Sequence, residues 1–228
     1  MASSRSHNGR DTSPSMASDN GDSRREHPYR GLLVDYGGVL TSNLFDSFRA
    51  FCDLEGLEPE SIGRRFREDR SARELLIALE TGKLPEQEFE QRFAAILGVA
   101  APDLIMRLMA GSEADGEMLA AIERARAAGI RTGLVSNSWG TSRYDRKLLG
   151  ELFDGIVISG EIGIRKPAPE IYELGAERIG LEPSACVFVD DLPFNLEPAA
   201  ELGMGTVHHT SAQDTIAELE RLLGVELR

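Results

Sequence analysis

Gly31-Leu-Leu-Val-Asp-Tyr36 is the stretch on which the fold turns. It is a short, unbroken apolar run that ends in an acid and runs into Gly37-Gly38. A half-solvated strand alternates apolar and polar residues. An unbroken run marks a strand buried on both faces, as in a parallel sheet, and the glycines open the loop that follows. The same texture recurs as Arg131-Thr-Gly-Leu-Val-Ser136, Gly155-Ile-Val-Ile-Ser159, Ala185-Cys-Val-Phe-Val-Asp190 and Gly205-Thr-Val-His208. Helical periodicity fills the intervals. Residues 115–128 place Met118, Leu119, Ile122 and Ala125 on one face, with Gly129 as the expected C-terminal stop. Residues 169–179, 193–202 and 212–223 read the same way.

Strand–helix alternation predicts an α/β fold, a Rossmann-like doubly wound parallel sheet with helices on both faces. One interval breaks it. Residues 44–112 read as helix throughout, in segments near 44–54, 59–68, 71–80, 85–97 and 102–109, punctuated by Pro59, Gly82, Pro85, Gly98 and Pro102. That is too long for a loop within a compact domain. The expected organisation is a core of residues 30–43 and 113–228 with a helical cap inserted at 44–112. Residues 1–29 are rich in Ser, Asp, Asn, Gly and Arg, lack apolar periodicity, and read as a disordered tail. They contain no apolar h-region of a secretory signal.

Composition narrows the partners. Apolar residues make up 41% of the 228, enough for a buried core. The net charge of -13 repels nucleic acid and anionic membrane, and no apolar stretch is long enough to span a bilayer. Cys52 and Cys186 are far apart, and Cys186 enters an apolar run, so both read as reduced thiols in a cytoplasmic setting. Oligomeric state leaves no mark on the sequence.

In an open parallel sheet, ligands bind at the carboxyl ends of the strands. Those ends carry Asp35, then Ser136-Asn137, then Asp190-Asp191, and Lys166 sits in the loop after the third strand. Three carboxylates, a hydroxyl, an amide and an ammonium on one sheet edge suit phosphoryl transfer. Carboxylates hold a hard divalent cation, Mg²⁺. The cation screens the phosphate so that anionic Asp35 can approach phosphorus. Ser136, backbone N–H groups and Lys166 stabilise the equatorial oxygens.

Val34-Asp-Tyr-Gly-Gly-Val-Leu-Thr41, Leu134-Val-Ser-Asn137, Gly163-Ile-Arg-Lys-Pro-Ala-Pro-Glu-Ile-Tyr172 and Val187-Phe-Val-Asp-Asp-Leu-Pro-Phe-Asn195 resemble, in order, the four motifs of the haloacid dehalogenase (HAD) superfamily. The inserted helices resemble that superfamily's type-1 cap, and Thr81-Gly-Lys-Leu-Pro-Glu-Gln-Glu-Phe89 is similar to a stretch common in such caps. Ser136-Asn-Ser-Trp139 and Asp190-Asp191 most resemble the subgroup of the soluble epoxide hydrolase N-terminal phosphatase domain. The resemblance implies Asp35 as nucleophile and metal ligand, and the Gly37 carbonyl as a further metal ligand. It implies Ser136 and Asn137 on the phosphate, and Lys166 between phosphate and nucleophile. Asp191 would be the main acidic ligand of the last motif, with Asp190 supporting Lys166 or the metal shell.

One position departs from the pattern. The superfamily's phosphatases usually carry a second Asp two residues after the nucleophile, as general acid and base, and Gly37 stands there. Two alternatives to a phosphatase follow. A weakly active or inactive module that binds a phospho-ligand or partner is supported by Gly37. A 2-haloacid dehalogenase also dispenses with the second Asp, but needs no metal and so leaves Asp190-Asp191 unexplained. A phosphomutase needs the missing Asp. Trp139 is assigned equally to the pocket or to packing, His208 and His209 to structural or solvated positions, and Arg64, Arg65, Arg67 and Arg70 to a solvated helix face.

Overall fold

The computed structural model describes residues 28–228. The tail expected at 1–29 lies outside them up to residue 27. Tyr29 belongs to the folded part, for its ring packs so close to Gly205 that a Cβ there would meet it at 2.8 Å.

Five parallel strands form one sheet. They are β1 (Gly31–Val34), β2 (Arg131–Ser136), β3 (Gly155–Ile158), β4 (Cys186–Asp190) and β5 (Gly205–His208), in the order β3-β2-β1-β4-β5. The apolar runs are explained by which face each residue serves. In β1, Leu32 and Val34 enter one core while Leu33 enters the other; in β4, Val187 and Val189 oppose Cys186 and Phe188 in the same way. The first core is covered by α6 (Gly116–Ala127), α7 (Arg146–Leu152) and α11 (Ala212–Leu223), the second by α9 (Pro169–Arg178) and α10 (Pro193–Glu201). Helix layers on both faces make the fold the Rossmann-like, doubly wound α/β sheet that the alternation predicts. The sequence reading omitted α7 and the single turn α8 (Ser159–Ile162). Both are too short to develop a readable apolar period.

Between β1 and α6 the chain forms α1 (Leu44–Glu55), α2 (Ser61–Glu68), α3 (Arg70–Glu80), α4 (Glu86–Leu97) and α5 (Leu104–Leu108). Their ends follow local chemistry. Asn43 caps α1, its Oδ1 accepting from Phe45 N, and Gly56 ends it at φ 68°. These helices bury a cluster of their own, including Phe48, Phe51, Phe89, Phe93 and Leu104. Entry and exit run side by side: Ser42 N donates to Glu113 O at 2.7 Å and Asp115 N to Leu40 O at 2.9 Å.

A second seam joins the helical segment to the sheet unit. Ser159 Oγ donates to Glu80 O at 2.5 Å, and Arg165 Nε lies 2.5 Å from Glu80 Oε2. Gly82, at φ 67°, fits so closely that a Cβ would meet Gly160 O at 2.2 Å. Trp139 crosses the seam and packs among Phe48, Phe66 and Phe89, with ring centroids 5.4, 5.8 and 6.1 Å away. Among the described residues, no helix is long and apolar enough to cross a membrane.

Candidate active site

The carboxyl ends of β1 and β4 are neighbours in the sheet, and this adjacency brings three acids together. Oxygens of Asp35, Asp190 and Asp191 all lie within 4.8 Å of one another. Asp35 N donates to Val189 O at 2.9 Å, extending the β1–β4 ladder to the residue that ends it. Lys166, fully buried on the loop before α9, reaches both carboxylates: Nζ is 2.8 Å from Asp35 Oδ1 and 2.7 Å from Asp190 Oδ2. Burial disfavours an ammonium, but Asp190 and then Asp35 outweigh it and hold Lys166 charged, above its ordinary value.

Asp190 is saturated. Its Oδ2 takes Lys166, while its Oδ1 accepts from Leu192 N and from Asn195 Nδ2, both at 2.9 Å. Tyr172 anchors this arrangement by donating its hydroxyl to Asn195 O at 2.7 Å. Asp35 uses only one oxygen this way, Oδ1 also accepting from Tyr36 N at 2.7 Å. Among the described residues, Asp35 Oδ2 has no donor on it, and the Asp191 carboxylate has none from any residue but its own backbone. Burial pushes Asp35 well above the usual carboxylate range despite Lys166, and pushes Asp191 to about 6 with help from Asp190. With all three ionised, three carboxylates and one ammonium would carry two uncompensated negative charges, and the repulsion among the carboxylates adds to burial in raising Asp35 and Asp191. Unpartnered oxygens of that charge suit a hard divalent cation.

Ser136 and Asn137, at the end of β2, flank Asp35 from the other side. Ser136 Oγ hydrogen-bonds Tyr144 OH at 2.8 Å. The Asn137 side chain spans the Lys166 backbone, with Oδ1 accepting from Lys166 N at 2.8 Å and Nδ2 donating to Lys166 O at 3.1 Å. Both ends of its amide are therefore tied to the lysine loop, while the residue also lines the adjacent cavity. Gly37 borders a cavity of about 320 Å³, and a Cβ there would meet nothing within 4 Å. Gly38 is the opposite case: it sits at φ 77°, and a Cβ would meet Asp191 Oδ2 at 2.4 Å.

The cavity also touches residues the sequence reading did not single out, among them Leu44, Met109, Arg143 and Tyr144. Tyr144 and Arg143 follow no motif spacing and reach the site through the short 3₁₀ turn Thr141–Arg143. Trp139 serves both roles that were open to it, lining the cavity and packing against the helical segment. His208, assigned to a structural or solvated position, is exposed and hydrogen-bonds Asp191 O through Nε2 at 3.1 Å.

The family model for haloacid dehalogenase-like hydrolases matches residues 29–203. The chain is 39% identical over 116 residues to acyl-CoA dehydrogenase family member 10 of Mus musculus, covering 48% of this chain and 10% of that protein. It is 28% identical over 131 residues to bifunctional epoxide hydrolase 2 of Rattus norvegicus, covering 54% and 24%. The chain thus spans a quarter or less of these two curated relatives. It is 32% identical over 187 residues to phosphatase MT3486 of Mycobacterium tuberculosis, covering 76% and 83%. A HAD family enzyme of Bacteroides thetaiotaomicron, solved with magnesium and inorganic phosphate, shares the fold at a TM-score of 0.60 and 22% identity, covering 79% and 93%. The order of the motif residues, the meeting of their side chains at one sheet edge and the family match have one meaning: the chain belongs to the haloacid dehalogenase-like hydrolases.

Proposed function

We propose that the chain is a Mg²⁺-dependent phosphatase that hydrolyses a small phosphorylated metabolite through an aspartyl-phosphate on Asp35. The observation that carries this reading is the asymmetry of Asp35. One oxygen is held by Lys166 and Tyr36, and the other has no partner among the described residues. A carboxylate fixed by one oxygen presents the other as a nucleophile of defined direction. The similarity to a protein named as a phosphatase over most of its length supports the same class.

Asp35 Oδ2 forms a bond to phosphorus as the ester P–O bond breaks, and the electron pair of that bond leaves with the alcohol oxygen. Lys166 neutralises charge on the phosphoryl oxygens, and Ser136 donates to them from the end of β2. Water then adds to phosphorus and gives its proton to solvent, the bond to Asp35 breaks, and inorganic phosphate departs. Mg²⁺ held by Asp35, Asp191 and the Gly37 carbonyl would supply the positive charge that lets two anions meet. The hydrogen bonds on Asp190 favour the role of orienting Lys166 over direct metal ligation.

Phosphate release from 4-nitrophenyl phosphate tests the reading. Turnover is expected with Mg²⁺, lost in excess EDTA and restored by added Mg²⁺. Full turnover in EDTA would overturn it in favour of metal-free displacement. A second reading, a phospho-ligand-binding module with little turnover, rests on Gly37 and would be favoured if Mg²⁺ and phosphate bind but no ester is cleaved.

A further inference from the structure

The cavity beside Asp35 is short of proton donors. Among the described residues its lining includes no carboxylate and no imidazole, and the space beyond Gly37 is open. The Tyr144 hydroxyl is engaged with Ser136, and burial pushes the ionisation of both Tyr144 and Tyr36 above the ordinary value, which makes each phenol a poorer acid. A leaving oxygen here departs without a built general acid, so the alcohol it belongs to must form a stable anion unaided. Aryl, acyl and anomeric esters meet that condition and simple alkyl esters do not.

The walls choose among the three. Tyr36, Trp139 and Tyr144 present aromatic surface, with Leu44 and Met109 beside them. Tyr36 and Tyr144 are held edge-on at 5.1 Å, and Trp139 is wedged against three phenylalanines. Such rigid rings suit a planar ring better than a polyhydroxylated sugar or a small acyl group. One cation borders the same space. Arg143 is exposed and, among the described residues, has no carboxylate partner, whereas nearby Arg146 pairs with Glu161 and lies 5.6 Å above the Tyr144 ring. In a chain of net charge -13, an uncompensated guanidinium at the cavity is an anion-recognition group.

We propose, on the phosphatase reading above, that the substrate is an aryl phosphate with a second anionic group, its ring against Tyr36, Trp139 and Tyr144 and its second anion on Arg143. The assay uses the full chain with Mg²⁺ and compares 4-carboxyphenyl phosphate, 3-carboxyphenyl phosphate, phenyl phosphate, acetyl phosphate, glucose 1-phosphate and glycerol 1-phosphate. A carboxyphenyl phosphate is expected to have the highest kcat/KM. Its advantage over phenyl phosphate should fall about 10- to 100-fold in Arg143→Met, the range for losing a charge-assisted hydrogen bond. Preference for the acyl, anomeric or alkyl ester, or an unchanged ratio in Arg143→Met, would overturn the proposal. If no ester is cleaved, the phosphatase reading fails by itself, and binding decides the ligand class. Trp139 is the single tryptophan, so its fluorescence reports the cavity. Quenching by 4-carboxyphenyl phosphate that Arg143→Met weakens tenfold or more would uphold the class; absence of quenching, or quenching that the variant leaves unchanged, would overturn it.

Discussion

Asn137 grips Lys166 by the main chain from both sides, at 2.8 Å on its N–H and 3.1 Å on its carbonyl. The loop after β2 thus fixes the loop that carries the buried ammonium, while Asp35 and Asp190 fix the ammonium itself. Asn137→Ala removes the tie without touching Lys166. It is expected to lower kcat by about 10–100-fold with a smaller change in KM, and to destabilise the fold by about 1–3 kcal/mol, since two backbone groups lose their partner. Steady-state kinetics and denaturant midpoints check this. A side chain that only contacted phosphate would change KM first.

Asp35→Asn is expected to reduce turnover at least about 10³-fold in a folded protein, as loss of a nucleophile does. Lys166 keeps Asp190 as its partner, and the buried negative charge falls by one. Thermal stability in EDTA should therefore hold or rise. Turnover at the parent rate would end the assignment of Asp35.

The two adjacent glycines should respond in opposite ways. Gly37→Asp enters open space at an ordinary φ, and a carboxyl group there supplies the missing acid. Turnover of glycerol 1-phosphate should rise by up to about 10²–10⁴-fold, with a smaller gain for aryl esters. Gly38→Ala forces a Cβ onto Asp191 at a positive φ and should weaken Mg²⁺ binding as well as activity. Kinetics for the first and calorimetric Mg²⁺ titration for the second decide the matter.

Glu80 provides a pH test away from the metal ligands. Burial raises its carboxyl from the usual 4.5 to about 7, against the opposing pull of Arg165 and Lys166. The native state then binds this proton more tightly than the unfolded chain. Its contribution to stability is fullest below about 4.5 and is lost as pH rises through 7. Glu80→Gln removes that titration. The drop in unfolding free energy between pH 5 and pH 8 should be smaller in the variant, by a difference on the order of 3 kcal/mol. Parallel pH profiles would show that Glu80 titrates normally.

The strands and the motif order were legible in the sequence because each rests on local chemistry. A run such as Val187-Phe-Val-Asp190 needs only its own apolar residues to declare a buried strand, and Asn43 and Gly56 bound α1 through contacts within a few residues. Sheet topology then makes Asp35 and Asp190 neighbours, since β1 and β4 pair side by side. The remaining facts depended on groups far apart in the chain. Leu192 and Asn195 bind Asp190 Oδ1 locally, but nothing near Asp190 says that Lys166, 24 residues earlier, takes up the other oxygen. Nothing near Asn137 says that its amide is committed to a backbone 29 residues away. The approach of Gly82 to Gly160, the Glu80–Arg165 contact and the place of Arg143 at the cavity likewise exist only after the helical segment has packed on the sheet. Sequence by itself determined the strands, the longer helices, their order and which motif residues end the strands at one sheet edge, because periodicity and strand ends are properties of short segments. Tertiary structure alone decided which of those side chains remain unpartnered for chemistry, because hydrogen-bond saturation and burial depend on every group that packs around them.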